Sequence, residues 1–93
     1  MMDNQSKLHF LLDLAESLGI EVRRGPARAG ALGAEGGSLV RLRGKEILFL
    51  DTHAPHPAQV AAVAAALGGR DEIERMFLPP EIRQTIEKAS GEA

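Results

Sequence analysis

The run Leu39-Val40-Arg41-Leu42-Arg43-Gly44-Lys45-Glu46-Ile47-Leu48-Phe49-Leu50-Asp51 decides the fold. Two strand-like stretches, 39–43 and 46–51, flank Gly44-Lys45, a pair suited to a two-residue type II′ turn and therefore to a β-hairpin. A turn there sets Arg43 opposite Glu46, Leu42 opposite Ile47, Arg41 opposite Leu48, Val40 opposite Phe49 and Leu39 opposite Leu50. One face then holds Val40, Leu42, Ile47 and Phe49 and is wholly apolar, the face expected to meet the core. The outer face begins with the opposite-charge pair Arg43 and Glu46. It also shows Leu39, Leu48 and Leu50, so something apolar should cover part of it.

Upstream, residues 3–18 read as an amphipathic helix. Leu8, Leu11, Leu12, Ala15 and Leu18 recur at helical spacing, with Phe10 and Leu14 widening the stripe. Asp3 or Asn4 suits its N-cap, and Gly19 stands where a left-handed residue ends a helix. Ile20-Glu21-Val22-Arg23 alternates as a short strand that Gly25-Pro26 stops. From Gly25 to Ser38 no period survives, which predicts a mobile glycine-rich loop over 25–38.

Downstream, Pro57 suits a first helical position, and a helix over 57–67 buries Val60, Val63, Ala64 and Leu67 before Gly68-Gly69 ends it. Alanines fill its remaining positions, so it lacks a polar face and should be covered on several sides, within the domain or by another copy. Asp71-Glu72-Ile73-Glu74 has capping-box spacing and opens a short helix through Met76 and Phe77. Pro79-Pro80 breaks it and starts a last helix, 81–89, with Ile82 and Ile86 inward. Residues 90–93 should fray. The expected fold is a small α+β domain spanning 1–93, ordered helix, strand, β-hairpin, helix, helix, helix, with a three-stranded sheet. Phe10, Phe49 and Phe77 are expected as its largest core pieces.

Composition narrows the function. At 93 residues and 9.9 kDa there is room for one domain. The absence of cysteine excludes disulfides, thiolate metal sites and a cysteine nucleophile. No apolar run is long enough to span a bilayer, and the first residues do not resemble a signal peptide, so a cytoplasmic protein of bacterial type is expected. The net charge of −2 is distributed unevenly. Residues 23–45 carry six basic residues against Glu35 alone, a net +5, whereas the rest carries five against twelve acids, a net −7. With three Phe and no Trp or Tyr, there is little on which a nucleic-acid base could stack.

Two side-chain sets could carry chemistry. Asp51-Thr52-His53-Ala54-Pro55-His56 is a D-x-H-x-x-H arrangement, and an extended 51–53 puts Asp51 and His53 on one side, roughly 6.5 Å apart. Two imidazoles and a carboxylate suit zinc or non-haem iron, as in a metal-binding protein or metal-dependent hydrolase. The plainer alternative has Asp51 accepting backbone N–H groups at the turn, with both histidines on the surface. The second set is Arg23, Arg41 and Arg43, which could hold a small anion with the glycine-rich loop. Equally, these arginines could pair with neighbouring acids and shield leucines. The sequence contains no P-loop, G-x-S-x-G elbow or designated carboxylate pair.

The run 38–45, Phe49-Leu50-Asp51, Ala54-Pro55 and Phe77-Leu78-Pro79-Pro80 resemble a family of short uncharacterised bacterial proteins, a resemblance that implies no activity. The element order is loosely similar to a zincin-type metallopeptidase core, but the helix 57–67 holds neither the histidines nor the glutamate of H-E-x-x-H. Together these readings predict a non-catalytic, self-associating interaction or accessory domain, a homodimer without a cofactor. The alternative is the metal site on Asp51, His53 and His56.

Overall fold

A computed structural model of the chain describes residues 2–25 and 36–91. The elements are α1 (Asn4–Ser17), β1 (Glu21–Gly25), β2 (Gly37–Leu42), β3 (Lys45–Asp51), α2 (His56–Leu67), α3 (Asp71–Arg75) and α4 (Pro80–Ala89). This is the expected α+β order. The Asp3 carboxylate caps α1 by accepting the Ser6 N–H at 2.8 Å. Gly19, at φ 86°, supplies the left-handed turn beyond its end. Most of the expected loop 25–38 falls on residues 26–35, outside the described residues. At its margins the expectation is corrected, because Gly25 belongs to β1 and Gly37 and Ser38 belong to β2.

The sheet order is β1-β3-β2, with β1 parallel and β2 antiparallel to the central β3. The hairpin forms where expected, but its turn does not. Arg43 and Gly44 are the two turn residues, at φ 53° and 79°. Positive φ at both is the type I′ signature, whose twist matches that of the flanking strands. Leu42 therefore faces Lys45, Arg41 faces Glu46, Val40 faces Ile47 and Leu39 faces Leu48. Each β2 residue meets a partner two positions earlier than the type II′ turn implied. An even shift preserves side-chain parity, so Val40, Leu42, Ile47 and Phe49 still share a face.

Which face is buried is the larger correction. Leu48 and Leu50 belong to the core cluster, with Val22 and Leu39 packed against it. Val40, Leu42 and Phe49 are 39%, 60% and 43% exposed. The face expected inside is the open one. The helices cover only the opposite side, where α2 packs on β2 and β3 and α1 packs on β1. None of the three phenylalanines is fully buried: Phe10 is half-buried, Phe49 lies on the open face and Phe77 is fully exposed. Aliphatic residues fill the interior, led by Leu11, Leu48, Leu67, Ile73 and Ile82.

Helix α2 is central, contacting α1, α4, β2 and β3. This explains its missing polar face without a second copy: the chain itself surrounds it, leaving Ala61 and Ala65 exposed. Its one buried polar side chain, Gln59, donates from Nε2 to the Ala54 carbonyl at 2.8 Å. Where β2 begins, the backbone runs tight against α2. A Cβ on Gly36, at φ 96°, would sit 2.2 Å from the Ala58 carbonyl oxygen. Only glycine fits there. The capping-box reading of Asp71 is also corrected, since Arg70 is the N-cap of α3 and no side chain caps it. Instead Arg83 of α4 donates to the Met76 carbonyl at 2.6 Å, tying down the far end of α3.

Candidate functional site

The corner between β3 and α2 is built by short-range hydrogen bonds. The Thr52 N–H donates to the Gly25 carbonyl at 3.1 Å, and the Ala54 N–H to the Asp51 carbonyl at 3.2 Å. The Asp51 carboxylate accepts the His53 N–H at 3.0 Å, an Asx-type turn that leads the chain out of the strand. Pro55 then caps α2 with its carbonyl, which accepts the N–H groups of Ala58 and Gln59. His53 and His56 are both exposed. The Asp3 carboxyl is held below its ordinary value first by the Ser6 N–H and then by the Ser6 hydroxyl, with His56 a smaller contributor. Among the described residues no three His, Asp or Glu side chains stand together as a metal-holding group.

The three arginines are not gathered either. Arg23 pairs in register with Phe49 and so lies on the open face, on the flanking strand β1. Arg41 pairs with Glu46 and lies on the helix side of the other flanking strand, β2. Arg43 occupies the turn between β2 and β3. Each of the first two has an acidic partner. Arg23 Nε donates to Glu21, and Arg41 Nη2 donates to Glu46 at 3.2 Å. His9 is exposed on α1, beside a shallow surface depression lined by Gln5, Ser6, Phe10 and Asp13.

Two features escaped the sequence reading. The first is the ion pair between Glu46 and Arg70. Arg70 grips the carboxylate with two parallel bonds of 2.9 and 2.6 Å, while its Nε donates to the Ala66 carbonyl at 2.9 Å. One guanidinium thus joins β3 to the end of α2. These bonds, chiefly Arg70's, pull the Glu46 pKa down to about 2, and the same hydrogen bonding raises that of Arg70. Partners 24 residues apart leave no local signal.

The second feature is the open face itself. Its β2 column is Ser38, Val40 and Leu42, and its central column includes Ile47 and Phe49. The β1 margin carries Glu21 and Arg23, with Lys45 Nζ 3.7 Å from Glu21. Glu21 is held below its ordinary pKa first by the Arg23 hydrogen bond and then by the Arg23 charge, with Lys45 adding less. Charge therefore lines one side of the face and apolar surface the other. Ile47, between Glu21 and Val40 in the register, is only 5% exposed, so the accessible apolar surface lies with Val40, Leu42 and Phe49. A signal for this polarity did exist. Ile20 and Val22 point to the core and Glu21 and Arg23 away from it, and pairing β1 with β3 carries that choice across the sheet.

The site is thus a half-apolar open sheet face on a small α+β domain. No protein-family model, curated protein or solved structure matches the chain. No helix among the described residues is long and apolar enough to cross a membrane.

Proposed function

We propose that this chain is a non-catalytic interaction or accessory domain of the bacterial cytoplasm that works as a homodimer, using the apolar β2 margin of the open side of its sheet. The observation that carries the reading is the exposure of Val40, Leu42 and Phe49 on one face while the helices cover the other. Contiguous exposed apolar side chains rimmed by charge are characteristic of interaction surfaces. The small size of the domain adds weight, because about 90 residues bury a modest core and association offsets that shortage.

Sedimentation at micromolar concentration tests the proposal. A species of twice the chain mass of 9.9 kDa supports it, and a stable monomer at every concentration removes it. Elemental analysis of untagged protein separates this reading from a metal-dependent hydrolase on Asp51, His53 and His56. The domain reading expects substoichiometric zinc and iron. Stoichiometric metal lost in His53→Ala would replace it with the hydrolase or metal-sensor reading.

A further inference from the structure

Strand β2 forms one edge of the sheet, and ladder alternation decides which of its backbone groups face away from β3. Leu42 and Lys45 close the two-residue turn, and at the other end the Asp51 N–H donates to the Gly36 carbonyl at 2.9 Å. Alternation between these points directs the N–H and C=O groups of Ser38, Val40 and Leu42 toward β3. Those of Gly37, Leu39 and Arg41 point outward. The same edge presents an uncharged column on the open face, Ser38, Val40 and Leu42, whereas the opposite edge presents Glu21 and Arg23.

We infer that a second copy of the chain adds antiparallel to β2 across a two-fold axis at Val40, joining two three-stranded sheets into one. The inference rests on the self-association reading above and specifies its geometry. In this register Val40 faces the partner's Val40, Leu42 faces the partner's Ser38, and Leu39 exchanges backbone bonds with the partner's Arg41. No like charges meet. Centring the axis on Arg41 would oppose Arg41 to the partner's Arg41, an unfavourable cross-strand pair. Centring it on Leu39 would set Val40 against the partner's Ser38 and split the apolar column.

The arrangement of charge favours this edge over a face-to-face stack. Stacking the open faces would cover the ion cluster of Glu21, Arg23 and Lys45, and desolvating such pairs is costly. Edge addition leaves that cluster in water at the outer margins. It also unites the two Val40–Leu42 columns and satisfies the outward backbone groups of both copies.

The absence of native cysteine makes the test clean, because a single introduced thiol can cross-link only to its own copy. Val40→Cys at the axis becomes a non-hydrogen-bonded pair with Cα atoms about 4.5 Å apart, within disulfide range. Phe49→Cys on β3 would lie three strand spacings across and four residues along the strand from its mate, about 20 Å away. Under mild oxidation, with unchanged far-UV circular dichroism, Val40→Cys is expected to form covalent dimer at least tenfold faster than Phe49→Cys. Equal rates, or faster linking through Phe49→Cys, overturn edge addition in favour of another contact. A wild-type dimer in sedimentation that Val40→Cys fails to link overturns this geometry but leaves self-association standing. A wild-type monomer overturns both.

Discussion

The two faces of the sheet differ by less in composition than in use. The helix side presents Val22, Leu39, Leu48 and Leu50, and the open side presents Val40, Leu42, Ile47 and Phe49. Either set would serve a core. What separates them is the flanking segment: Ile20, just before β1, and Val22 turn to one side and Glu21 and Arg23 to the other, while Arg24, opposite Leu50, stays exposed on the helix side. A charged strand margin cannot pack under α1 without desolvating its ions, so the helices take the leucine side. A two-sided apolar strand therefore acquires its inside from its neighbour.

Substitutions can break this comparison. The largest effect is expected at Leu48, which is fully buried at the centre of the helix side. Leu48→Ala should cost about 2–5 kcal/mol in urea unfolding, and Leu42→Ala on the open side less than about 1 kcal/mol under dilute, monomeric conditions. Similar losses would mean that the two faces are not distinct. Gly36→Ala comes next, at about 2–3 kcal/mol, because a positive φ and the 2.2 Å approach of the Ala58 carbonyl oxygen must both be relieved. The same measurement on Gly44→Ala separates the two causes, since Gly44 has a positive φ but open space around it.

The Glu46–Arg70 pair sharpens the comparison by fastening the helix side to β3. Arg70→Ala should cost about 2 kcal/mol at neutral pH, as a bidentate, mostly buried pair loses one partner. Its pH dependence has a definite direction. Glu46 titrates near 2 when folded and at its ordinary value of 4.5 otherwise, so the pair stabilises fully above about 4.5. That contribution fades as pH falls through about 2. Glu46→Gln should flatten this part of the acid limb, and acid melts of the two proteins check it. Parallel acid limbs would assign the acid sensitivity to other carboxylates.

Local chemistry made the element order legible. The helical stripe through Leu8, Leu11 and Ala15, the Asp3 cap, the stop at Gly19 and the proline start of α4 each act within a few residues. The hairpin was legible too, but not its turn, because Arg43-Gly44 and Gly44-Lys45 both offer a glycine for positive φ. Either register gives Glu46 an arginine partner, Arg43 or Arg41, so the charge pair does not discriminate between them. The buried face was illegible within the hairpin, since Ile47 to Leu50 is apolar at both parities. The candidate surface was thus visible as a set of residues but not as a surface. Nothing near Glu46 in the chain announced Arg70.

The central claim, that the helix side holds the fold and the apolar β2 margin of the open side joins a second copy, is tested most directly by the concentration dependence of the urea midpoint. Wild type and Leu42→Glu are compared over the same range of protein concentration. The midpoint of the wild type should rise with concentration, as mass action requires of a dimer, and that of Leu42→Glu should stay at the dilute wild-type value. A concentration-independent wild-type midpoint, or a Leu42→Glu midpoint far below the dilute wild-type value, would contradict the account.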